Sequence, residues 1–251
     1  MSSVPPTPSP FDLQPPTAVA PAASFWSTWE DTLDIFYSPS AVFDRRRDAR
    51  YALPLIILIV MSMAIYFLSI QMNDAVGDIE FAKAMAAQAK AGGKALDAKQ
   101  IADAKAFAEK FKGVLAYLIP VFVAIGAWVS GLVIMMLGNL MGARLTFAQA
   151  TTVSVLASFP ELLGRAVMGA QALVLDAATI TSKYTFATSA ARFFPDATNS
   201  LILKLAAIAD PFVIWSAVLL GFGAYIIGRM EKEKAAVLAI VHTIGFAFMF
   251  R

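Results

Sequence analysis

The run VLAYLIPVFVAIGAWVSGLVIMMLGNLMGA, residues 114–143, holds no charged side chain and stops at Arg144. An uncharged apolar run of about 18 or more residues suits the hydrocarbon core of a bilayer, about 30 Å thick. Further along, residues 211–228 are also uncharged. The chain of 251 residues is 59% hydrophobic and 15% charged. Soluble domains average about 45–50% apolar and about 25% charged residues. The excess excludes an ordinary soluble enzyme and an intrinsically disordered protein, and it predicts an all-α, polytopic transmembrane helical bundle.

About five spans are predicted, near 52–72, 114–141, 150–175, 211–228 and 235–250, the third interrupted by Pro160, Glu161 and Arg165. Between spans one and two, residues 73–113 mix seven lysines and six acids with many alanines. Gly92-Gly93 splits this segment, and Asp97 with Gln100 resembles a capping box. Ile101, Ala104, Phe107, Ala108 and Phe111 then form one apolar stripe. The pattern predicts an extramembrane helical hairpin whose second arm runs into span two. Residues 176–210 read as a loop with a short helix.

The amino-terminal end differs. Residues 1–24 hold seven of the 13 prolines and one charge, Asp12, and are predicted to be a disordered tail. With neither a basic n-region nor an apolar h-region, they do not read as a signal peptide. The membrane domain is expected over 25–251. In it, Trp26, Trp29, Leu33 and Phe36 recur at helical spacing, which suits the membrane interface or docking on the chain's own spans. Ser38-Pro39 supplies a helix start with serine as cap, leading into Arg45, Arg46, Arg47 and Arg50.

Arginine and lysine near the spans set orientation. The four arginines before span one, Arg144, and the group Arg229, Lys232 and Lys234 share one side if there are five spans. That side reads as the cytoplasm, with the amino terminus inside and the lysine-rich hairpin outside.

The chemical inventory is thin. A net charge of +2 provides no basic footprint for nucleic acid. No cysteine and a single histidine, His242, leave no paired metal motif, so no cofactor or metal is expected. No catalytic site is expected either. Gly138 with Gly142, and Gly221 with Gly223, are candidates for close helix packing. Glu161 and Arg165, four apart with the acid first, are the candidate intramembrane polar pair. They read as a self-neutralising pair or as a polar path. Asp210 before Pro211 is the candidate cap of span four, with Trp215 at the interface.

Several stretches together resemble the bacterial YIP-domain proteins, relatives of the eukaryotic Ypt/Rab-interacting proteins. They are Ser38-Pro39-Ser40-Ala41-Val42-Phe43, then Gly142-Ala143-Arg144-Leu145-Thr146-Phe147-Ala148-Gln149-Ala150 leading to Phe159-Pro160. Asp210-Pro211-Phe212-Val213-Ile214-Trp215, Leu219-Leu220-Gly221-Phe222-Gly223 and Lys234-Ala235-Ala236 follow in order. The resemblance implies five transmembrane helices and a cytosolic amino terminus, in a multi-pass protein of the bacterial inner membrane. Eukaryotic members are tied to Rab GTPases, but the short amino-terminal region here carries no expectation of a GTPase partner.

The leading expectation is a non-enzymatic membrane scaffold or adaptor of the YIP type. The lipid bilayer and other membrane proteins, or a second copy, would be its partners. The alternative is a transporter or channel component with Glu161, Arg165, Asn139 and His242 on a polar path. Reporter fusions after Arg144 and after Lys234 should report cytoplasm, and fusions near Lys99 and Ser189 the opposite side. A cytoplasmic reading at Lys99 would overturn the orientation.

Overall fold

The computed structural model describes residues 25–92, 97–175, 179–194 and 199–250; the proline-rich segment 1–24 lies outside them. Ten α-helices follow in order: α1 (Phe25–Asp34), α2 (Pro39–Arg45), α3 (Ala52–Leu68), α4 (Ile70–Gly92), α5 (Ala98–Leu140), α6 (Phe147–Ala157), α7 (Phe159–Ala172), α8 (Ser200–Ile208), α9 (Pro211–Ile226) and α10 (Lys232–Phe250). No strand occurs among the described residues. By length and composition, Tyr117–Leu140 and Phe147–Gln171 can each cross a membrane. The number rises to four if two bent pairs, α3 with α4 at 71° and α8 with α9 at 61°, each count as one span. The predicted fifth span falls on α10, whose first residues are Lys232, Glu233 and Lys234 and which is not among these candidates.

The bundle is built around α6. Every residue from Ala150 to Ala157 is buried, and α3, α5 and α9 pack around the helix. A helix covered on all sides cannot leave its hydroxyls to water. Thr151 and Thr152 therefore donate back to the carbonyls of Phe147 (2.8 Å) and Ala148 (2.9 Å). Thr146 caps the helix in a reciprocal capping box with Gln149. At the far end Ser158 closes α6, and Pro160 starts α7 because its missing N–H breaks the helical ladder.

Two glycines let neighbours reach α6. A Cβ on Gly131 of α5 would stand 2.9 Å from the Thr151 Cα, and one on Gly223 of α9 would stand 2.6 Å from Val153 Cγ1. Gly221 faces Ala239 of α10 more loosely, whereas Gly138 packs against Leu145 and then Leu238 of α10. Gly142 departs from the packing expectation. Nothing lies within 4 Å of its would-be Cβ, and its φ of +94° makes it the turn after α5.

The hairpin forms as α4 and the first part of α5. Asp97 caps α5, accepting from the Gln100 N–H (2.7 Å) while the Gln100 side chain accepts from the Asp97 N–H (3.1 Å). Span one is shorter than expected. It ends at Leu68, and the chain bends at buried Ser69, against which Gly169 of α7 packs. The short helix expected within 176–210 is α8, residues 200–208, capped by Asn199.

Helix α1 is turned over relative to its apolar stripe. Trp29 and Leu33 are exposed (38% and 53%), while Thr28, Asp31, Thr32 and Ile35 are buried. The cause is an ion cluster with the end of α2. Arg46 donates to Asp31 (2.6 Å) and to the Thr28 hydroxyl (2.7 Å), and Arg45 bridges Asp31 and Asp34. Desolvation would lower the Arg45 pKa, but hydrogen bonds and attraction from Asp31 and Asp34 raise it above its ordinary value. Ser38 occupies the cap position of α2, but its side chain makes no capping hydrogen bond.

The Arg46 and Asp31 side chains are each 4% exposed. Removing one partner of a buried pair costs about 3–5 kcal/mol, whereas an exposed pair is worth about 0–1 kcal/mol. Asp31→Ala should therefore destabilise the protein severalfold more than Asp34→Ala in detergent unfolding measurements. Equal effects would show that the cluster does not hold α1.

Candidate functional site

Beyond the α6–α7 break, the bundle forms a half-open cavity of about 900 Å³. Its walls come from α3, α5, α6, α7, α9 and α10, with residues from the segment 179–194 at one end. That segment is fastened to α4, where Lys83 donates to the Thr181 carbonyl (3.2 Å). A small cluster of Met72, Ile180 and Phe186 supports the same contact.

Four charged side chains line the cavity: Glu161, Arg165, Lys183 and Asp210. Glu161 lies in the first turn of α7, where the helix dipole favours an acid. With a rise of about 1.5 Å per residue, Glu161 and Arg165 stand about 21 and about 27 Å along the span from Phe147. That places them toward the far side of a hydrocarbon core about 30 Å thick. Glu161 is half-buried there and Arg165 is exposed. Among the described residues Arg165 belongs to no ion pair, although its spacing from Glu161 allows one.

Asp210 caps α9 as predicted, accepting from the N–H groups of Phe212 (2.8 Å) and Val213 (3.4 Å). It also accepts from the Thr188 hydroxyl, which ties the 179–194 segment to α9. Trp215 is partly exposed on the same helix and lies outside the cavity lining. Deeper in the wall, His242 of α10 shares a hydrogen bond with Ser130 of α5 (2.9 Å) and stacks on Phe246. Ser216 of α9 also lines the cavity, but its hydroxyl is sealed from solvent and has no hydrogen-bond partner among the described residues.

Asn139 does not join them. Its amide donates to the Leu145 carbonyl (3.0 Å) and accepts from the Leu145 N–H (2.8 Å), bracing the turn between α5 and α6. It therefore drops out of the polar path expected for a transporter. Lys183, Tyr184, Thr188 and Ser216 join the cavity unannounced by any sequence pattern. Three of them lie in a loop without periodicity, and Ser216 is a lone hydroxyl in an apolar helix. Among the described residues no group of His, Asp or Glu is arranged to hold a metal ion.

A scan of family models matches residues 33–250 to the Yip1 domain. No curated protein and no solved structure matches the chain.

The Asp210 cap gives a direct test of how the cavity is held. Asp210→Ala removes both capping bonds and strands Thr188, so it should cost about 0.5–2 kcal/mol in chemical unfolding. Asp210→Asn keeps an acceptor and should cost clearly less. A full loss with Asn would mean that the negative charge itself is required.

Proposed function

The chain belongs to the Yip1-domain family of membrane proteins, and on that premise we propose that it works as a non-enzymatic scaffold or adaptor in the membrane. The observation that carries this reading is the hairpin. Helix α5 has 43 residues, a length of about 65 Å, more than twice a hydrocarbon core of about 30 Å. Its membrane-crossing part starts at Tyr117, so the preceding turns stand clear of the bilayer beside α4. There the apolar stripe predicted for a second arm is uncovered. Phe107 is 69% exposed, and it stacks on Phe111 at 5.8 Å. Stacked aromatics on a projecting arm are a natural anchor for another protein, since aromatic residues dominate interface hot spots.

In this reading the partner is another membrane protein or a second copy, and no GTPase is assigned. The basic end of the bundle, with α1 and α2, faces the cytoplasm, and the hairpin lies on the opposite side of the cell membrane. A second reading, solute transport, is favoured by the polar cavity.

A photocrosslinker at Ala104, one turn before Phe107 on the same stripe, separates the two in native membranes. An adaptor should give one stoichiometric membrane-protein adduct, lost in Phe107→Ala with Phe111→Ala while the bundle stays folded. Absence of that adduct, with substrate-dependent flux in liposomes, would favour transport.

A further inference from the structure

Helix α5 carries one apolar stripe that neither the bundle nor α4 covers. Phe107, Phe111 and Val114 stand on it in the turns before the membrane-crossing part, and all three are exposed. The same alternation of four and three residues runs on without a break through Leu118, Val121, Ile125, Trp128 and Leu132. Leu118 is half-buried and the other four are exposed. No position on the stripe is charged. Its length is about 37 Å at a rise of about 1.5 Å per residue.

The opposite face of α5 belongs to the bundle. Ala124 packs against the core, Ala127 is buried, and Gly131 meets Thr151 of α6. Pro120 falls in line with these three by helical spacing, so the backbone hydrogen bond it removes lies away from the stripe.

A period of 3.5 residues, kept up over several heptads, is the spacing of helices that supercoil left-handed about each other. Lipid imposes no such period, because any apolar side chain suits it. The turns that carry Phe107, Phe111 and Val114 stand clear of the bilayer, yet they keep register with the stripe inside it. Trp128 makes the same demand from mid-span. It stands near the middle of Tyr117–Leu140 and is 42% exposed, whereas tryptophan favours the membrane interfaces. Among the described residues its indole N–H has no hydrogen-bond partner, and hydrocarbon offers no acceptor. A protein neighbour would cover the ring and can accept from the N–H.

The stripe also selects that neighbour. With no charge to be matched by one of opposite sign, it is complementary to itself. A partner helix must begin outside the bilayer, keep the same period and continue past the middle of the span. A second α5 meets all three conditions. Copies inserted in one membrane share an orientation, so a two-fold axis along the membrane normal sets α5 parallel to α5, each residue beside its counterpart.

We propose that the chain forms a parallel homodimer through α5, a coiled coil that starts in the projecting arm at Phe107 and continues into the membrane as far as Leu132. Val114 and Val121 take d positions, and Phe111 and Leu118 take a positions. The proposal rests on the reading of the arm as a docking surface and names its occupant.

The chain has no cysteine, so single cysteines report the contact directly. In native membranes oxidised with copper phenanthroline, full-length Val114→Cys and Val121→Cys variants should each give a disulfide-linked dimer. Glu109→Cys, on the far side of the arm, and Val60→Cys, exposed on α3, should stay monomeric. Coexpression of two differently tagged copies should place both tags in the adduct. Phe111→Ala with Trp128→Ala, both exposed in the single chain, should leave the helix content by circular dichroism unchanged. The same double change should lower the cross-linked fraction of Val114→Cys about tenfold or more, as loss of interface anchors does.

A dimer at Val114→Cys without one at Val121→Cys would overturn the continuous seam, as would equal cross-linking of Glu109→Cys and Val114→Cys. An adduct between Ala104 and a different membrane protein, with no dimer at either valine, would overturn the second copy and leave the adaptor reading in place. Dimers at both valines in a protein that catalyses substrate-dependent flux would uphold the pairing and overturn the adaptor reading instead.

Discussion

Burial of α6 on every side is the constraint on which the rest of the bundle depends. A helix covered all round must have small or self-satisfied side chains, and its neighbours must come close. Both conditions appear in the residues. Thr151 and Thr152 satisfy their hydroxyls on their own helix, and Ala150 and Ala157 take little space. Gly131 and Gly223 remove the side chains that would hold α5 and α9 away. Phe43 of α2 also closes on Gly223, so the same glycine seats the short helix that carries the arginine cluster. Any side chain at Gly131 would meet the Thr151 hydroxyl first and the Thr151 backbone directly behind it. This contact therefore has little room to relax.

Uncharged length was the most legible signal in the sequence. It located α5, α9 and the broken α6–α7 span, and Pro160 marked the break. Local chemistry was also legible where donor and acceptor lie within one turn, as in the Asp97–Gln100 box and the Asp210 cap. Contacts between distant residues were not. The stripe of Trp29 and Leu33 suited either the membrane interface or docking on the spans, but Asp31 could not be seen to meet Arg46, 15 residues away, in the buried layer. Gly138 and Gly142 have identical spacing signatures, yet one meets Leu238 and the other makes a turn. A spacing motif records which residues are small, not which neighbour they meet. The cavity was half visible for the same reason. Glu161, Arg165, Asp210 and His242 could be singled out in sequence, but their convergence with Lys183 and Ser216 depends on the path of the chain between α7 and α9.

The break in the third span links the core to the cavity. Ala157, Ser158 and Glu161 lie at or just after it, and all three line the cavity. Ser158 donates to the Ser154 carbonyl (2.8 Å), so the carbonyls freed near Pro160 are partly satisfied by a side chain. Beyond the break α7 packs on α3 and α9 instead of α5. Gly164 lets the Phe212 ring press directly against α7. Space opens between α5 and α7 because two successive pieces of one span follow different neighbours.

The two arginine sites of the bundle show what this space means energetically. Arg46 is buried and matched: one carboxylate, one hydroxyl, and a neighbouring arginine that shares the carboxylate. Charges enter a low-dielectric environment at a large desolvation cost, and such full pairing is the usual way to offset it. Arg165 has no comparable partner among the described residues, although Glu161 is one turn away. Arg165 is exposed, so the bundle interior does not have to match its charge as it matches that of Arg46. In a membrane, ionisable groups face the bundle interior when they serve a path or a ligand. The contrast between Arg46 and Arg165 separates a charge buried to hold the fold from one that the fold leaves exposed.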